Sequence, residues 1–388
     1  MLRVLTLATL FPDAARPTFG GFVERQTLGL AARDDVQLEV VAPIGVPIWP
    51  LSRHERYRKF RDVPEQELWK DVIVHRPRFG VLPKIGGSRS PAAIARALRP
   101  VIKTIRERFA FDVVDAEFFY PDGPAAMRIA KAFDVPFSVK ARGADIHYWG
   151  ARPGSGSQVL AAGQAANGLL AVSEALKADM VALGMPGEKI AVHYTGIDKH
   201  RFKPIERSKA KQEINVAGPM IVTVGALIPR KGQSLVIRAL KEIPDAELWC
   251  IGEGEDRSSL TTLADQLGLA DRVHLPGNLP HDEVAKLVAT ADVLALPSVS
   301  EGLANAWVEA LACGTPIVIS DAGGAKELVD RPEAGAIVPS DPAAIATAIN
   351  AILADPPDQQ AVRATVDKFS WKQNSEQLFA HLSALVDR

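Results

Sequence analysis

Asp292-Val293-Leu294-Ala295-Leu296-Pro297-Ser298-Val299-Ser300-Glu301-Gly302-Leu303-Ala304-Asn305-Ala306-Trp307-Val308-Glu309-Ala310-Leu311-Ala312-Cys313-Gly314-Thr315-Pro316-Ile317-Val318-Ile319-Ser320 reads as strand, loop, helix, glycine stop and strand. The apolar run 293–296, ended by Pro297, has the composition of a strand buried on both faces, and 316–319 has that of its parallel successor. Gly314 is placed to end the helix between them. Two such strands joined through a helix are the repeating unit of a parallel sheet covered by helices.

That helix is almost entirely apolar or small, so it belongs in the interior, where an ionised Glu309 is costly without a partner. A ligand hydroxyl is one such partner. At ~1.5 Å per residue, Glu301 and Glu309 lie roughly 12 Å apart, the span of a nucleotide sugar from hexose to ribose. A helix beginning near Gly302 presents the N–H groups of Gly302, Leu303, Ala304 and Asn305 between the two acids, a setting that suits a diphosphate. The same pair also reads as two ordinary surface glutamates on one helix.

Working outward, 388 residues are too many for one ordinary domain and suit two α/β lobes of nearly equal size. Hydrophobic residues make up 47% of the chain, enough for two cores. With only Cys250 and Cys313, a disulfide framework is excluded and a reducing, cytoplasmic setting is expected. The run after Arg3 is brief and interrupted by Thr6 and Thr9, so it reads as a first strand and not as a signal peptide, and no apolar run is long enough to span a membrane.

The net charge of −1 conceals an asymmetry. Residues 1–203 carry 29 Lys/Arg against 21 Asp/Glu, whereas residues 204–388 carry 16 against 25. The positive excess is concentrated in 53–61 and 76–108, which read either as a contact for an anionic membrane surface or acceptor, or as a solvated face of long side chains. A peripheral position at the inner face of the membrane follows from the first alternative. Nucleic acid is not an expected partner.

Strand and helix patterns alternate through 2–8, 23–32, 37–42, 91–108, 113–115, 123–133, 137–141, 169–172 and 174–183. Residues 45–90, rich in Pro, Gly and Arg, break that rhythm and are expected to form a mobile insertion facing the acceptor. A second series runs through 220–224, 247–251, 273–275, 293–296 and 316–319. The expected division is 1–203, 204–370 and a C-terminal helix at 371–388.

Several loops sit where open α/β sheets bind ligands, beyond the carboxyl ends of strands. Gly20 and Gly21 allow backbone to approach a phosphate or sugar after the first strand. Gly225 leads into Arg230-Lys231-Gly232, two fixed cations for an anionic ligand. No Asp-x-Asp pair occurs and the His residues show no close pairing, so no metal is expected and the cations and helix N–H groups would neutralise a leaving group instead. No cofactor is expected.

Glu301-Gly302-Leu303 with Glu309, followed by 310–318, Gly323-Gly324 and Glu327, resembles the E-x7-E signature of family 4 glycosyltransferases. The resemblance extends to 194–202 as an interdomain junction, to 141–146 in the place of an H-G-x-D-I segment with Arg142 where His is common, and to a G-x-G turn at 252–254 carrying Glu253. It implies the GT-B fold, two Rossmann-like doubly wound parallel-sheet lobes facing across a cleft, and an enzyme that moves a hexose-type sugar from a UDP- or GDP-sugar to a glycan or lipid-linked hydroxyl with retention, in cell-surface or exopolysaccharide assembly. It further implies that Glu301 holds sugar hydroxyls and Glu309 ribose hydroxyls, that Arg230 and Lys231 serve the diphosphate, that Arg142 contacts the sugar or an acidic acceptor group, and that the C-terminal helix at 371–388 crosses back to the first lobe. The family's first cation is replaced here by Ala226. A sugar-nucleotide epimerase of the same fold, or a non-catalytic sugar-nucleotide-binding protein, remain open alternatives.

Overall fold

The computed structural model describes residues 1–17, 19–58, 60, 62–82 and 87–387. The chain divides into two compact units, Met1–Gly196 with Trp371–Arg388, and Ile197–Ser370.

The first unit contains β1 (Leu2–Leu7), β2 (Val36–Val41), β3 (Ile44–Pro47), β4 (Gln66–Trp69), β5 (Val72–His75), β6 (Arg78–Val81), β7 (Val113–Ala116), β8 (Phe137–Ala141), β9 (Gly168–Ala171) and β10 (Ile190–Val192). Eight of them form one sheet in the order β10-β9-β8-β7-β1-β2-β5-β4, parallel except for β4 against β5. Every residue of β7, β8 and β9 is buried, as expected of central strands covered by helices on both faces. The C-terminal helix Trp371–Val386 packs on the helix Gly21–Ala31. Its Leu378, Leu382 and Leu385, spaced four and three apart on one face, join Leu2, Val4, Leu30, Val36 and Val113 in a single cluster.

The insertion differs from its expectation. Among the described residues of 45–90, β4 and β5 extend the main sheet, while β3 and β6 pair in parallel as a small sheet of their own. The local composition hid this because the strands are four residues long and Arg supplies the side chains that fix them. Arg76 is buried and donates to Pro12 O at 2.8 Å and Glu67 Oε1 at 2.5 Å. Arg78 donates to the carbonyls of Arg76, Phe60 and Val63.

The second unit holds β11 (Met220–Val224), β12 (Glu247–Ile251), β13 (Val273–Gly277), β14 (Val293–Leu296), β15 (Ile317–Ile319) and β16 (Gly335–Ile337), all parallel, in the order β13-β12-β11-β14-β15-β16. Its core gathers Ile221, Leu227, Val236, Leu248, Val293, Val318 and Ile349. Cys250 and Cys313 lie in this unit, and burial pushes each thiol up to about 12, so both act as small apolar side chains.

Among the described residues no helix is long and apolar enough to cross a membrane.

Candidate functional site

In each of the two large sheets the chain runs outward in opposite directions from one central pair of strands. From β11 the chain moves outward to β12 and β13, and from β14 it moves the other way to β15 and β16. The crevice beyond the carboxyl ends of β11 and β14 is therefore the topological switch point of the second unit, where open sheets bind ligands. In the first unit the corresponding neighbours are β1 and β7.

Two loops meet at the β11/β14 point. Lys231 Nζ donates to Glu301 Oε1 at 2.5 Å, and Arg230 Nη1 donates to Ser300 O at 2.5 Å while lying 3.8 Å from Glu301 Oε2. The Val299 N–H donates to Arg230 O at 2.8 Å. Gly232 makes this approach possible: at φ 74°, a Cβ there would lie 2.5 Å from Pro297 O. Glu301 is buried, and its carboxylate between two cations leaves one net positive charge at the mouth of the following helix. That balance favours an anion such as a diphosphate.

The helix itself is Asn305–Ala312, so Glu301, Gly302, Leu303 and Ala304 precede it, and the expected start near Gly302 is corrected. The cause is the glycine pair downstream: Gly324 N–H donates to Gly302 O at 2.9 Å, which holds 301–304 as a loop against the 322–325 turn. Glu301 and Glu309 are consequently not separated by helical rise alone. Trp307, Val308, Ala310, Leu311 and Ala312 are buried as the apolar composition requires, and Glu309 is half-buried. Gly225 continues β11, its N–H donating to Ile251 O at 3.0 Å, and Ala226 is exposed beside it. Glu253 is turned toward its own loop, accepting from Arg257 Nη1 at 2.7 Å.

In the first unit, Gly20 and Gly21 open the helix Gly21–Ala31 after β1. A Cβ on Gly20, at φ 68°, would lie 2.1 Å from Leu10 O, whereas one on Gly21 would meet nothing within 4 Å. Arg142, beyond β8, is drawn inward: its Nε donates to Glu117 O at 2.8 Å, its Nη2 to the Glu117 carboxylate, and the guanidinium lies 4.8 Å from the Phe22 ring centre. Its own N–H donates to Asp145, whose carboxylate also accepts from the N–H groups of Phe119, Gly143 and Ile146. His147 pairs with Asp179 at 2.9 Å. Within the first unit Arg142 is thus joined to Glu117, beyond β7, and within the second Lys231 is joined to Glu301, beyond β14.

Sequence reading passed over a polar network beneath Arg142. Gln26 donates to Glu117, and buried Lys140 donates to Gln26 Oε1 at 2.5 Å and to His193 Nδ1 at 2.8 Å. His193 Nε2 donates to Asn374 O at 2.8 Å, which leaves Nδ1 as the acceptor and makes the ring neutral. Burial, and next the Arg142 charge, push Lys140 well below the usual lysine range, and burial with Lys140 does the same to His193. Asp115, adjoining this group, is pushed well above the carboxylate range by burial first and by the Glu117 charge second. The available signal was Asp115-Ala116-Glu117 and Lys140, charges in or directly after otherwise apolar strands. Asp122 is fully buried and pushed up to about 7 by burial, against a Thr9 N–H that donates to it at 3.0 Å.

Among the described residues no three His, Cys, Asp or Glu side chains are gathered to hold a metal ion. A cavity of about 460 Å³ is lined by Ser298, Val299, Ser320, Asp321 and 337–340, and none of the expected site residues lines it.

Residues 204–369 match the model of the group 1 glycosyl transferases, and residues 28–201 match that of glycosyltransferase family 4. TuaC of Bacillus subtilis, named for a glycosyltransferase role in teichuronic acid biosynthesis, is 28% identical over 90% of this chain and 88% of its own. A GDP-mannose-dependent phosphatidylinositol monomannoside mannosyltransferase of Mycolicibacterium smegmatis is 34% identical, over 48% of this chain and 54% of its own. Among solved structures, sucrose-phosphate synthase of Thermosynechococcus elongatus superposes with a TM-score of 0.81 at 20% identity, covering 99% of this chain and 100% of that one. HepE of Anabaena in complex with UDP gives 0.74 at 20% identity over 99% and 100%.

Proposed function

Because the chain belongs to the family 4 glycosyltransferases and carries their GT-B fold of two parallel-sheet α/β lobes, we propose that it moves a hexose-type sugar from a UDP- or GDP-sugar to a hydroxyl of a glycan or lipid-linked acceptor, with retention of anomeric configuration. The observation that carries this reading is the Lys231–Glu301 ion pair, with Arg230 beside it, at the β11/β14 switch point. Both nucleotide classes stay in the proposal, since HepE is solved with UDP and UDP-glucose while the mycobacterial relative is named for GDP-mannose.

In the proposed reaction the bond from the sugar C1 to the diphosphate oxygen breaks, and its electron pair leaves with the nucleoside diphosphate. The acceptor oxygen bonds to C1 on the same face, and its proton passes to the departing phosphate. Arg230, Lys231 and the N–H groups of Gly302 to Asn305 take up the negative charge as it develops, without a metal. Glu301 receives sugar hydroxyls on the side away from Lys231, and Glu309 receives those of the ribose. A lysine already fixed to a carboxylate needs little reorganisation during the reaction, which is how such a group contributes to rate. Polysaccharide or glycolipid assembly is the proposed setting, in keeping with the names of both relatives.

The test is turnover of UDP- and GDP-hexoses in the presence of oligosaccharide and polyprenyl-linked acceptors, with the product anomer read by NMR. Retention in a reaction insensitive to EDTA supports the proposal. Inversion, dependence on added divalent metal, or epimerisation of the donor without transfer contradicts it.

A further inference from the structure

Three large exposed apolar side chains fall within four residues: Ile48, Trp49 and Leu51 are 49%, 72% and 50% exposed. They directly follow β3, where Ile48 N–H still donates to Val81 O at 3.3 Å, and they lead into the short turns Leu51–Arg53 and Glu55–Arg58. The β3/β6 pair fixes the backbone at the base of this tip. Isolated apolar residues on a surface need no explanation, but a tryptophan flanked by two aliphatic residues on one short turn is a patch that binding would cover.

The neighbouring charges indicate what covers it. Arg53 and Arg58 are exposed on the two turns, and the helix Ser90–Arg108, which packs against β6, exposes Arg96, Arg99 and Lys103 at i, i+3 and i+7. The acids on these elements are Glu55 and Glu107. The basic surface is narrower than 53–61 and 76–108 imply: Arg76 and Arg78 are spent on internal bonds, Arg106 donates to Phe111 O at 3.1 Å, and Arg108 pairs with Glu39. Lys59, Arg61 and Lys84 lie outside the described residues.

We infer that residues 48–58 form a membrane-contact element for an anionic phospholipid bilayer. Ile48, Trp49 and Leu51 enter the boundary between headgroups and acyl chains, where an indole ring is favoured, and Arg53, Arg58 and the basic face of Ser90–Arg108 engage the headgroups. This deepens the reading of a lipid-linked acceptor.

The test is co-sedimentation of the full chain with vesicles of phosphatidylcholine alone and of phosphatidylcholine containing phosphatidylglycerol, at low and high salt. No sugar nucleotide is present, so failure here leaves the donor reading standing. The wild type is expected to bind the anionic vesicles at low salt and not the neutral ones. A triple variant Ile48→Ser, Trp49→Ser, Leu51→Ser is expected to lose about tenfold or more in partition with its melting temperature unchanged, because the side chains removed are exposed. Arg53→Ala with Arg58→Ala is expected to weaken binding and flatten its salt dependence. Absence of wild-type binding to anionic vesicles, or equal binding by the triple variant, overturns the inference. So does a dimer in light scattering that the triple variant abolishes while neither protein binds vesicles, since the tip would then be covered by a second copy.

Discussion

Lys231 is the residue on which the proposed chemistry turns, because it is the cation in direct contact with Glu301 at the β11/β14 crevice. Lys231→Ala removes one fixed positive charge from the site of the leaving group. The expected loss is about 10²–10³ in kcat, the scale found when one preorganised charge-stabilising donor is deleted. A loss confined to KM would show that the lysine binds ground state and transition state alike. Asp122 offers a second test at this scale. Its carboxyl stands at about 7 in the fold against an ordinary 3.8, so between those values the folded chain holds a proton that the unfolded chain releases. Stability from this group is present below about pH 4 and is lost as pH rises through 7. Asp122→Asn should therefore melt higher relative to wild type at pH 8 than at pH 5. A difference independent of pH would show that burial does not hold this carboxyl neutral.

At the scale of elements, the C-terminal helix Trp371–Val386 is held by a row of leucines in the first unit's core. Leu382 is fully buried there, and Leu382→Ala is expected to cost about 2–5 kcal/mol, measured by denaturant unfolding. A cost under about 1 kcal/mol would mean that this helix contributes little to the core. Elements of this kind were legible because apolar runs bounded by Gly or Pro announce central strands: β8, β11, β12 and β14 have the limits read from composition. The short strands β3 to β6 were not legible, since Gly, Pro and charged residues break up all but β5 and their registers depend on Arg76 and Arg78 reaching distant carbonyls. The start of the helix Asn305–Ala312 was misplaced for a related reason. A hydrogen bond from Gly324, more than twenty residues downstream, fixes the preceding loop. At the β1/β7 point, Arg142 could be picked out, but its inward turn to Glu117 depends on Gln26 and Lys140, brought together from separate elements.

For the whole molecule, the two units differ in charge as well as in core. Met1–Gly196 with Trp371–Arg388 carries 28 Lys/Arg against 22 Asp/Glu and Ile197–Ser370 carries 17 against 24, even though the sheet switch point in the acidic unit carries Arg230 and Lys231. A locally positive crevice in an acidic unit is the arrangement expected of a site selected for an anionic ligand, not of a generally cationic surface. The most direct measurement is a thermal-shift panel of UDP, GDP, ADP and their common sugar conjugates on the wild type, Lys231→Ala and Glu309→Ala. A ligand held at 100 times its dissociation constant stabilises the fold by about 2.7 kcal/mol. A donor site at β11/β14 predicts that one nucleotide class raises the wild-type midpoint and that both substitutions abolish the rise. A panel in which no nucleotide raises the wild-type midpoint, or in which both variants respond as the wild type does, would contradict it.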